Sequence, residues 1–113
     1  MDSPDTGLTA TVGQDPDGTP VVALSGELDL TTSPIATRAF EALPSPEALA
    51  RENGAPRVVV DVTHLRFMDS SGITVFLTAT RRGYHVRLRQ PNDFLRSVIA
   101  ATGLAATLPP EDP

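Results

Sequence analysis

Four consecutive residues, Asp69-Ser70-Ser71-Gly72, hold the densest chemistry in this sequence. Asp and Ser ahead of an apolar run at helical spacing are helix caps, because their side-chain oxygens accept from the free N–H groups of the first turn. That accounts for much of the segment. Three cap-competent residues in a row nevertheless exceed what one helix end requires. Gly72 is also costly inside a helix, by about 1 kcal/mol relative to Ala. A small residue in a first helical turn suits the close approach of another backbone or of a phosphate. The unpaired N–H groups and the macrodipole favour an anion there, so a serine in this turn is a candidate phosphoacceptor.

Other reactive side chains are scattered. Glu27 and Asp29 stand two apart at a strand end and point the same way. As a general acid/base pair they would need a facing site, which the sequence does not supply, so a solvated turn is the expectation. His64 and His85 are in no ligand spacing, and no metal site is expected. There is no Cys, which removes disulfides, thiolate zinc sites and cysteine nucleophiles together. Gly-x-Gly-x-x-Gly and Gly-x-Ser-x-Gly are absent, and a Walker A loop is excluded because the chain has no Lys. These absences point away from an enzyme and from a bound cofactor.

A chain of 113 residues makes one domain with a single modest core. The net charge of −5 makes duplex nucleic acid a poor partner, since phosphate neutralisation supplies much of that affinity. Charge is unevenly placed: Asp2, Asp5, Asp15, Asp17, Glu27 and Asp29 all precede Arg38, the first base, and Arg81, Arg82, Arg87, Arg89 and Arg96 come late. A solvated surface explains this most simply, and a docking surface with two electrostatic poles is the sharper alternative. The first residues lack the basic start and apolar run of a secretory signal, and no apolar stretch is long enough to span a bilayer. The expectation is a soluble, cytoplasmic protein with no membrane partner.

The elements that must position Ser70 follow from pattern. Residues 1–7 read as a disordered tail, and Leu8–Val12 alternates like a half-exposed edge strand. Asp15-Pro16-Asp17-Gly18 is a turn, and Pro20–Ser25 is a more buried strand. Thr32 or Ser33 is expected to cap a helix carrying Pro34 in its first turn and Ala36, Phe40 and Leu43 on its inner stripe, with Ile35 and Ala39 beside them. Pro46–Gly54 holds one or two further helical turns. Val58–Val62 is a central strand, followed by a loop over 63–68. A helix from Asp69 presents Ile73, Phe76, Leu77 and Thr80 inward and ends at Gly83. His85–Arg89 alternates as a strand, Asn92 caps a last helix, and Leu104–Leu108 adds at most one short strand. The order β-β-α-β-α-β-α predicts an α/β domain, a mixed sheet of four to five strands with three main helices packed on it.

Taken together, Gly26-Glu27-Leu28-Asp29 after a hairpin, Val58–Val62, and Leu65-Arg66-Phe67-Met68-Asp69-Ser70-Ser71-Gly72 resemble the STAS domain of bacterial anti-sigma factor antagonists. Pro91–Arg96 and Thr102-Gly103-Leu104 fall where that family has its third helix and its end. The resemblance covers 8–108, leaving 109–113 as a tail. It implies a switch protein that binds an anti-sigma factor with serine kinase activity and so frees a sigma factor. The kinase phosphorylates the first serine of the turn, here Ser70, and a metal-dependent phosphatase of the PP2C type reverses it; ATP belongs to the kinase. The implied partner-binding set is Glu27, Asp29, Asp69, Ser70, Ser71, Gly72 and Ile73. Two departures stand out: a longer Pro44–Pro56 connection and a second helix about one turn short. The competing expectation is a STAS module without phosphorylation, such as an accessory subunit of a lipid-transport complex.

Overall fold

Strands β1 (Leu8–Gln14) and β2 (Pro20–Leu28) form an antiparallel hairpin in the computed structural model, which describes residues 7–111. Its turn lies at the expected place: the Gly18 N–H donates to the Asp15 carbonyl at 2.8 Å. The tail expected over residues 1–7 lies outside the described residues except for Gly7. The Gly7 carbonyl accepts from the Glu27 N–H at 3.1 Å and extends the hairpin.

Helix α1 (Ser33–Glu41) buries Ala36, Ala39 and Phe40, and Pro34 occupies its first turn. The expected side-chain cap is not made. The buried Thr32 hydroxyl instead donates to the Glu27 carbonyl at 2.8 Å and accepts from the Asp29 N–H at 2.9 Å. It ties the end of β2 to the helix entry. Ile35, expected beside the inner stripe, is exposed. The Pro44–Pro56 connection contains helix α2 (Pro46–Asn53), capped by Ser45, whose hydroxyl accepts from the Ala48 N–H at 3.1 Å. Leu49 anchors it in the core.

Strand β3 (Arg57–Met68) is where the structure departs most from the sequence pattern. The loop expected over 63–68 is strand, paired in parallel with β2. The pairing passes from Ala23↔Asp61 to Ser25↔His64, and from Gly26↔Leu65 to Glu27↔Phe67. At each step β3 uses one residue more than β2, as a β-bulge does. The buried positions beyond Val60 are therefore Val62, Leu65 and Met68, spaced by three rather than two. An alternation rule cannot see such a strand.

Helix α3 (Ser70–Arg81), strand β4 (His85–Arg89) and helix α4 (Asp93–Ala101) complete the domain. The sheet order is β1-β2-β3-β4, with β3 parallel to both β2 and β4. Crossovers of this kind need helices, which pack on the sheet. Among the described residues there are four strands and four helices, the extra helix being α2. The optional fifth strand is absent. Residues 104–107 turn, with the Leu108 N–H donating to the Leu104 carbonyl at 2.9 Å, and only an isolated bridge joins Leu88 to Pro110. Residues 109–111, expected in a tail, run along β4: the Leu88 N–H donates to the Pro109 carbonyl and the Glu111 N–H to the Leu88 carbonyl.

The core lies between the sheet and the helices. Phe40 of α1 meets Phe76 of α3 edge to face, with ring centroids 6.2 Å apart. The inner face of α3 is Ile73, Val75, Phe76 and Ala79, whereas Leu77 and Thr80 are only half-buried. On the opposite side of the sheet the β1–β2 turn reaches over to β4. Arg89 meets Asp15 at 2.7 Å and Glu111 at 2.7 Å. The acidic start and the late arginines thus neutralise each other in part across the fold.

Candidate functional site

The parallel strands β2 and β3 end side by side, and the segments leaving their ends build the site. The Asp69 N–H donates to the Leu28 carbonyl at 3.2 Å, fastening the start of α3 to the end of β2. Leu28 is fully buried, while its neighbours Glu27 and Asp29 face outward. The structure therefore brings the two distant motifs, Gly26–Asp29 and Asp69–Ile73, onto one end of the sheet.

Asp69 is the N-cap of α3. Its carboxylate accepts from the Ser71 N–H at 2.8 Å, and its carbonyl accepts from Gly72 N–H at 3.0 Å. These first-turn donors are thus already satisfied within the chain. Ser70 is exposed; its carbonyl accepts from the Thr74 hydroxyl at 3.0 Å, and its own hydroxyl makes no hydrogen bond among the described residues. An anion carried by Ser70 would project into solvent beside the Asp69 carboxylate rather than sink into the helix end.

Gly72 is small for a different reason than a phosphate or a neighbouring backbone. A Cβ there would strike the Met68 side chain and come within 2.9 Å of Leu28 Cδ2. It is a packing glycine that lets α3 settle on the ends of β2 and β3. Gly26 is a backbone requirement: φ is +111°, and a Cβ would collide with the Gly7 carbonyl. Gly72 is buried, and Ile73 is 5 % exposed. Both belong to the expected partner-binding set, and both lie beneath the exposed surface at this end of the sheet.

Glu27 and Asp29 do not act as a pair. Asp29 turns back to accept from the Thr31 hydroxyl at 2.8 Å and the Thr31 N–H at 3.0 Å. The Thr31 hydroxyl, aided by the Thr32 amide and hydroxyl, holds its carboxyl below the ordinary value of 3.8. Glu27 lies 3.9 Å from Arg66 in an exposed ion pair. Sequence reasoning missed three exposed apolar residues in this region. Leu30 is 76 % exposed, two residues past the buried Leu28. Phe67 and Phe94 stack at 5.6 Å and are both exposed. Leu30 alone in a polar loop was a readable signal; the Phe67–Phe94 contact depends on the β3 bulges and was not. Leu30 also joins Ser33, Thr37, Ser71, Thr74 and Val75 in lining a groove of about 540 Å³ between α1 and α3.

Among the described residues no group of His, Asp and Glu is placed to hold a metal ion, and no helix is long and apolar enough to cross a membrane. A family model described as "Mlab, STAS domain" matches residues 12–110. The chain belongs to the STAS domain family. No curated protein sequence matches it significantly. Among solved structures, this STAS domain is similar to an anti-sigma factor antagonist from Mycobacterium paratuberculosis, at 29% identity and a TM-score of 0.71, covering 100% of this chain and 92% of that one. The anti-sigma factor antagonist SpoIIAA in its unphosphorylated form is 22% identical with a TM-score of 0.66, over 92% of this chain and 89% of that chain. The phosphorylated form of the Bacillus cell fate determinant SpoIIAA is 21% identical with a TM-score of 0.59, over 92% of each chain. The last two likenesses show the fold. The mixed four-stranded sheet with its helices is thus the STAS arrangement.

Proposed function

We propose that this STAS protein is an anti-sigma factor antagonist: it binds an anti-sigma factor with serine kinase activity, frees a sigma factor, and is switched off by phosphorylation of Ser70. The reading rests on one observation above others. Ser70 is an exposed serine at the first position of α3, fixed by the Asp69 cap beside the Gly26–Asp29 strand end. Likeness along the whole chain to an anti-sigma factor antagonist supports it.

Physical chemistry gives the switch its form. A phosphoserine adds about −1.5 to −2 charges and three acceptor oxygens. At Ser70 that charge stands beside Asp69, so an apolar or acidic partner surface would have to desolvate or repel it. Ser70 is exposed, so the phosphate would stand in solvent and the core need not rearrange. Ser70→Ala is expected to bind the anti-sigma kinase regardless of ATP, and Ser70→Asp to bind at least about tenfold more weakly, a cost of about 1.4 kcal/mol. The pair is compared by titration calorimetry, and incubation with kinase and ATP followed by mass spectrometry locates the phosphate. Equal affinity of the two variants overturns the switch. A phosphatase of the PP2C type would complete the cycle.

A second reading, a STAS module that is not phosphorylated, such as an accessory subunit of a lipid-transport complex, is favoured by the match of residues 12–110 to the Mlab STAS domain family. Ser70 would then only begin α3. Absence of phosphate after incubation with a cognate kinase would favour it.

A further inference from the structure

The two edges of the sheet are built in opposite ways. At β4 the outward backbone groups of Leu88 are taken by residues 109–111, and the strand carries His85, Arg87 and Arg89. A covered edge bearing cations resists pairing with another chain. Among the described residues the β1 edge has none of these devices. Its sequence, LTATVGQ, has no charged residue and no Pro, and its pairing with β2 runs without a bulge.

The hydrogen bonds at either end of the hairpin fix which groups face outward. Glu27 donates to Gly7, and Asp15 donates to Thr19. Gly7 lies opposite Glu27 and Asp15 opposite Thr19 when the register is continued one residue each way. In an antiparallel pair the bonded positions alternate. The odd residues of β1 are therefore the bonded ones, and the N–H and C=O groups of Leu8, Ala10, Val12 and Gln14 point away from the sheet. No described residue pairs with that edge.

The geometry points to a homodimer in which β1 pairs antiparallel with β1 of a second copy, about a two-fold axis at Thr11. That register lets all four outward residues bond: Leu8 with Gln14 of the second copy, Ala10 with Val12, and the reverse. It sets Thr11 against Thr11 and Thr9 against Gly13, with no charge facing a charge, so the strand is complementary to itself. Leu8 and Ala10 already pack on the core, while Val12, 45 % exposed, would gain an apolar neighbour in the alanine opposite. The two sheets would join into one of twice the width, in the isologous manner of two-fold dimers.

The absence of Cys makes the test direct. Across the proposed axis Thr11 forms a non-hydrogen-bonded pair, where Cα atoms lie about 4.5 Å apart, inside the disulfide range of about 4.4–6.8 Å. Thr11→Cys is expected to cross-link to a dimer under mild oxidation, and Ser25→Cys, exposed on the same sheet face but one strand in, is not. Sedimentation of the unmodified chain should show mass rising with concentration from 11.9 kDa towards about twice that value. Thr11→Lys, which opposes two cations across the axis, and Val12→Pro, which removes an outward donor that β2 does not use, should both remain monomeric with an unchanged circular dichroism spectrum. A wild-type chain that is monomeric at every concentration overturns the pairing. So does a dimer in which Thr11→Cys cross-links no faster than Ser25→Cys. Protection of the Ala10 and Val12 amides only when a different protein is added assigns the edge to that protein, and equally overturns it.

Discussion

At Gly72 two effects of opposite sign meet in one atom. Replacing it with Ala improves helix propensity by about 1 kcal/mol. The new Cβ, however, lands on Met68 and Leu28, and overpacking a filled site costs about 1–3 kcal/mol. Overpacking should win, and Gly72→Ala is expected to lower stability by about 1 kcal/mol in urea titrations. An unchanged or raised midpoint would show that Met68 moves aside freely. Asp69→Ala is expected to cost about 1 kcal/mol as well, through loss of the bond to the Ser71 N–H. Ser70→Ala, at an exposed position, should leave stability within about 0.5 kcal/mol. That contrast matters for the proposed switch, because it separates a residue that holds the fold from one that would only carry the modification.

The connection between β2 and α1 shows how an element boundary is made. Glycine frees the backbone at Gly26, Leu28 anchors the strand in the core, and Asp29 folds back on Thr31 and Thr32. Because those bonds depress the Asp29 pKa, its contribution to stability is complete above 3.8 and is lost as pH falls through the lower value of the folded protein. The stability difference between the wild type and Asp29→Asn should therefore be constant from neutral pH down to about 4 and shrink below it. A difference that first shrinks near neutrality would contradict this origin of the turn's stability. Strand β3 teaches the complementary lesson. Val58–Val62 was legible as a central strand because it is β-branched and covered on both faces. Its continuation to Met68 was not legible, since two bulges turned a spacing of two into a spacing of three.

Across the whole molecule, Arg89 links three segments remote in sequence: β4, the β1–β2 turn through Asp15, and the chain near Glu111. All three side chains are less than a third exposed, so the network is worth more than the ~0–1 kcal/mol of an open ion pair. The hydrogen bonds that Arg89 donates to Glu111 and then to Asp15 push its pKa further up, so it stays charged wherever the fold is stable. Arg89→Ala is expected to cost about 1–2 kcal/mol and to speed amide exchange at Leu88 and Glu111, whose N–H groups bridge β4 and the final segment. Unchanged exchange there would mean that the backbone bonds alone hold that segment.

The sequence by itself determined the STAS identity, the order of strands and helices, and the place of Ser70 at a helix start, because each is written in local signals: hydrophobic period, turn residues and caps. Tertiary structure alone decided which motif residues are exposed and which are buried. The burial of Ile73 and Gly72 depends on how α3 seats on Leu28 and Met68, and the register of β3 depends on its pairing with β2. The contact of Gly72 with Leu28 and the pairing of β2 with β3 join residues some forty positions apart, and no local pattern encodes them.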